Sequence, residues 1–77
     1  MNRPKVLYKG CGELLYEQNG MKYLSLITCK PWKVNDIFII DLEMWVKELS
    51  PGRFKVIDMG DIHKETGYRQ INCREVT

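Results

Sequence analysis

The chain has 77 residues, 44% apolar and 29% charged, with a formal net charge of +2. That length gives one domain with one core, and the apolar content excludes disorder. The slight basic excess is too small to mark a nucleic-acid binder by itself, and no apolar run approaches the ~18 residues of a membrane span.

The chain opens Met-Asn-Arg-Pro-Lys with no apolar stretch behind it, so no signal peptide is expected and the expected location is the cytoplasm. Residues 3–9 read as a first strand, with Val6 and Tyr8 on one face. Gly10-Cys11-Gly12 breaks it as a turn; a phosphate loop would need more glycines and a lysine, and Glu13-Leu14-Leu15 follows instead. Asn19-Gly20 is the clearest local signal. It sits between residues 13–18 and 21–29 and predicts a type I′ hairpin with Leu14, Tyr16, Met21 and Tyr23 on its apolar side.

Residues 30–36 form a connector. Pro31 lacks an amide donor, and Asn35-Asp36 is a turn signal. Trp32, between Lys30 and Lys33, reads either as a lid over one end of the core or as an exposed recognition residue.

The densest apolar patterning runs from Asn35 to Gly60. Phe38, Ile40, Leu42, Met44 and Val46 alternate with period two, the pattern of a strand with one buried face, and Ile37 and Ile39 suggest that its first half is covered on both sides. Leu42, Trp45, Val46 and Leu49 equally fit one face of a short helix, with Asp41 at its start and Ser50-Pro51-Gly52 at its end. About two turns is marginal for a helix, and residues 53–58 resemble a strand, so strand–turn–strand is favoured. Residues 60–67 are a polar loop. Residues 68–76 close the chain as a strand rich in polar residues, which predicts a sheet edge.

The fold class is therefore all-β or β-rich α+β: a small antiparallel barrel or bent sheet of five or six strands, the alternative being α+β with a short helix at 42–49. The expected core comprises Val6, Leu14, Leu24, Leu26, Phe38, Ile40, Leu42, Val46, Val56 and Ile57. Residues 35–40, 45–49 and 66–68 resemble in pattern the strands of SH3-type barrels, over about half the chain and at the level of fold alone. The peptide-groove pattern does not follow, because Arg69 and Gln70 stand where proline and tyrosine would be.

Chemistry is sparse. Cys11, Cys29 and Cys73 are odd in number and widely spaced, which predicts free thiols. A zinc site with the single histidine, His63, would need close ligand pairs that are absent, so no metal and no cofactor are expected. His63 has Asp61 nearby, but no spacing selects a nucleophile, and no catalytic residues are assigned.

Two binding classes remain. The first is a non-enzymatic regulator, inhibitor or adaptor docked on a larger protein, with residues 68–76 adding to a partner's sheet. The second is a small barrel that binds single-stranded nucleic acid by stacking and phosphate contacts, using Tyr8, Tyr23, Trp32, Phe54 and Tyr68 beside basic residues. The candidate binding residues are Lys30, Trp32, Lys33, Arg53, Phe54, Lys55, Tyr68 and Arg69.

Overall fold

Asn19 and Gly20 lie at φ 55° and 76°, the positive values a type I′ turn requires. Across that turn, β2 (Glu13–Gln18) pairs antiparallel with β3 (Met21–Thr28), Gln18 opposite Met21. This computed structural model describes residues 3–76. The remaining strands are β1 (Lys5–Gly10), β4 (Ile37–Ile40), β5 (Gly52–Met59) and β6 (Arg69–Glu75). Together they form one antiparallel sheet in the order β1-β2-β3-β6-β5-β4. The all-β expectation holds. The sheet stays open, however, and does not close into a barrel: β1 and β4 are its borders.

β6, expected at an edge, lies in the middle between β3 and β5. Gln70, Asn72 and Arg74 fall on one face. There Asn72 Oδ1 accepts from Ser25 Oγ (2.7 Å) and from Gln70 Nε2 (3.0 Å), and Asn72 Nδ2 donates to Asp58 (3.2 Å). Ile71 and Cys73 fill the opposite, buried face. A polar strand is thus central because its alternation serves two faces at once.

The core is Leu15, Leu24, Leu42, Phe54, Val56, Ile71 and Cys73, with Leu26, Phe38, Ile40, Trp45 and Leu49 packed around it. Four expected core residues lie outside this cluster. A register shift between Val6 and Tyr8 puts Val6 opposite Tyr16, on the outer face, and Tyr8 opposite Leu15, on the inner one, so these two residues do not share a face. Leu14 is half-buried on the outer side while Leu15 takes the core position. Ile57 follows the inward Val56 and so faces out. Val46 is only half-buried.

The central stretch is neither a long strand nor an α-helix. β4 stops at Ile40, and a 3-10 turn at Leu42–Met44 begins a coil that spans the gap to Gly52. Leu42, Trp45 and Leu49 face the core, and Met44 faces solvent. Of the apolar residues of the helical reading, Leu42, Trp45 and Leu49 point inward and Val46 does not join the core. The coil makes one 3-10 turn, with Val46 N–H also donating to Leu42 O (3.0 Å), and lies as a cover over the sheet. It also replaces the expected tight hairpin at Ser50-Pro51-Gly52, since Ile40 pairs directly with Gly52.

Candidate docking edge

The two borders of the sheet differ in chemistry. β1 carries Lys5 and Lys9, follows Pro4, and bulges at Leu7. Charge, proline and bulges are the devices that stop a sheet from adding another strand. β4 reads Ile-Phe-Ile-Ile and has none of them. Among the described residues no strand pairs with its far side.

The register sets what β4 presents. Val56 N–H donates to Asp36 O (2.9 Å), and on the other side of β5 Val76 N–H donates to Arg53 O (2.8 Å). By antiparallel alternation the backbone of Phe38 and Ile40 faces β5, and that of Ile37 and Ile39 faces outward. The side chains of Ile37 and Ile39 are 48% and 72% exposed. The expected cover on both faces of this strand is absent: one face packs on the core through Phe38 and Ile40, and the other is open.

The outer face behind this edge is basic. Ile39 sits opposite Arg53, Ile37 opposite Lys55, and Lys55 opposite Arg74. Arg53, Lys55 and Arg74 form no ion pair among the described residues. Glu75 is engaged with Lys22 (3.8 Å), and Asp58 with Asn72. On the inner side, Lys30 and Trp32 with Phe38, Ile39 and Ile40 line an open groove of about 390 Å³, together with Glu13 of β2 and Leu26, Ile27 and Thr28 of β3. Trp32 is half-buried, its ring 4.9 Å from that of Phe38, so it is both a lid and a groove wall.

The structure divides the residues singled out from sequence. Lys30, Trp32, Arg53 and Lys55 gather at β4. Lys33 is exposed on the connector, its amide donating to Asp36 Oδ2 (2.9 Å). Phe54 is fully buried at the centre of the core and is no surface residue: on β5 it points inward between Arg53 and Lys55. Tyr68 and Arg69 stand apart, beside a hollow shared with Ile27 and His63. Ile37, Ile39 and Arg74 were missed. The isoleucines looked doubly buried, and only the strand order brings Arg74 beside Lys55.

Among the described residues no three of His, Cys, Asp and Glu come together around a cation position. His63 Nδ1 is 3.3 Å from Thr66 Oγ1 in an exposed loop. Cys11 and Cys29 are exposed thiols, and Cys73 is buried, its pKa pushed up to about 11 by desolvation. No described helix is long and apolar enough to cross a membrane.

The chain matches no known protein family, no curated protein and no solved structure. Fold and site together define its class: a small open antiparallel sheet with one guarded border and one unguarded one.

Proposed function

We propose that the protein is a non-enzymatic binding module, a regulator, inhibitor or adaptor, that docks on a larger protein by taking one of its extended segments onto the free side of β4. The contrast between the two borders carries this reading. β1 is defended against strand addition, while β4 offers outward backbone groups at Ile37 and Ile39 together with alternating apolar side chains. The cytoplasm suits such a module, since all three cysteines are free thiols.

Ile39→Pro tests the docking. Its amide faces away from β5, so proline there removes no internal hydrogen bond but blocks an incoming strand. With the partner recovered by affinity capture, amide exchange at Ile37 and Ile39 slows in the complex, and Ile39→Pro loses the complex while keeping the circular dichroism of the parent. A complex that protects β1 or the middle of the sheet instead, and tolerates Ile39→Pro, overturns the reading.

A second reading rests on the row Tyr16–Tyr23–Arg74–Lys55 across the outer face, whose rings and cations suit single-stranded nucleic acid. The first is preferred because the rings are already engaged: Tyr16 with Tyr23 at 5.3 Å, Tyr8 with Trp45, and Trp32 with Phe38. Steep loss of binding with rising salt, unaffected by Ile39→Pro, would favour the second.

A further inference from the structure

We infer that the segment received by β4 is acidic on one side and apolar on the other, alternating residue by residue; this rests on the docking reading above. Two observations carry it. First, Lys55 lies directly opposite Arg74, with Arg53 next on the same face. Like charges facing each other across a ladder oppose folding, and here no anion of the described chain offsets them. Of the acids nearest in register, Glu75 is paired with Lys22, and Asp58, on the same face as Arg74, bonds the neutral amide of Asn72 and contacts neither cation. The compensating charge is left to come from outside.

Second, the two faces of the edge differ. On the inner side Phe38, Ile40 and Trp32 present apolar surface to the groove. On the outer side Ile37 and Ile39 stand between the open border and Arg53 and Lys55. A strand added at the usual ~4.8 Å spacing directs alternate side chains to these two faces. Its inner residues meet the groove, where Trp32, Phe38, Ile40 and Leu26 are apolar and Glu13 and Lys30 stand at the wall. An outer glutamate lays its methylenes over Ile37 or Ile39, and its carboxylate meets the guanidinium of Arg53 or the ammonium of Lys55 reaching across.

The test uses the intact protein and capped peptides of about eight residues, the length of an ordinary strand. One alternates Val with Glu, one Val with Thr, and one Val with Lys. The Val/Glu peptide binds at least about tenfold more tightly than the Val/Thr peptide, a difference that shrinks with added salt. Arg53→Glu with Lys55→Glu inverts the order in favour of Val/Lys, and Ile39→Pro abolishes binding of all three.

Equal binding of Val/Glu and Val/Thr, both lost in Ile39→Pro, overturns the charge preference and leaves docking at β4 standing. Val/Glu binding that survives Ile39→Pro overturns both. Absence of any peptide binding overturns the inference, as does self-association of the protein through β4. Tighter binding of an oligothymidine than of the Val/Glu peptide assigns the cations to phosphate and overturns it too.

Discussion

Tyr8 and Trp45 lie face to face, their ring centroids 4.9 Å apart and their planes 6° from parallel. Tyr8 belongs to β1, and Trp45 to the coil after β4, so this stack joins the two sides of the sheet that hydrogen bonds leave apart. Ring packing, not strand pairing, holds the bend at that point. Among the described residues the far side of β4 stays unpaired.

Trp45→Ala removes a large, half-buried ring and lowers stability by about 2–4 kcal/mol. In a double-mutant cycle with Tyr8→Leu and Trp45→Leu, followed by urea denaturation, the two rings couple by about 1 kcal/mol beyond the area they bury. A coupling near zero would mean that the stack contributes surface burial and nothing more.

Gly10 is held small by that same stack. A Cβ there would lie 2.5 Å from Tyr8 Oη, 2.9 Å from its ring carbon Cε2 and 2.7 Å from Glu13 Oε2. Glu13 has a flexible end and moves aside; Tyr8 is pinned by Trp45. Gly10→Ala therefore costs about 1–3 kcal/mol as an overpacking change and alters the near-ultraviolet circular dichroism of the aromatic pair. In a Tyr8→Leu background the cost falls toward zero. An unchanged cost there would locate the strain elsewhere.

Cys73 makes stability depend on alkaline pH. Its thiol is buried, and desolvation raises its pKa from 9.0 to about 11. The unfolded thiol ionises first, so between these values the unfolded state holds fewer protons and stability falls as pH rises, by roughly 2 kcal/mol across the window. Below pH 9 both states are neutral and the thiol contributes no pH dependence. Cys73→Ala flattens this part of the stability profile relative to the parent. At neutral pH a thiol reagent labels Cys11 and Cys29 quickly and Cys73 only on unfolding.

Ile39→Lys and Phe54→Ala separate surface from core. Ile39 is largely exposed, and its charge substitution shifts stability by no more than about 0.5 kcal/mol. Phe54 is fully enclosed, and its truncation costs about 3–5 kcal/mol. Thermal melts of the two variants check this directly. A large loss in Ile39→Lys would mean that β4 is covered in solution.

Much of the strand inventory was legible, because turns are set by local chemistry. Asn19-Gly20 marked a hairpin, and Gly10-Cys11-Gly12 and the connector at 30–36 marked correct breaks. The faces were less legible. Leu14 and Leu15 are adjacent and both apolar, and nothing local says which points inward. The bulge near Leu7 shifts alternation by one residue and moves Val6 outward, while Ile57 follows the inward Val56 and so faces out. Phe54 was mistaken for a surface ring because basic neighbours on both sides are equally the signature of a one-faced buried strand. The β6 alternation of Ile71 and Cys73 with Gln70 and Asn72 was visible once cysteine is counted as apolar, yet the polar count alone suggested an edge.

By itself the sequence determined that this stretch is rich in antiparallel β-strands with turns at set positions, since φ preferences and period-two patterning act over a few neighbouring residues. Only the tertiary structure decided that β6 is central, that β4 is an unguarded border, and that Lys55, Arg74 and Ile37 stand in one row. Those are properties of which strands meet. Pairing depends on side chains tens of residues apart finding a shared interior, and no local rule encodes that outcome.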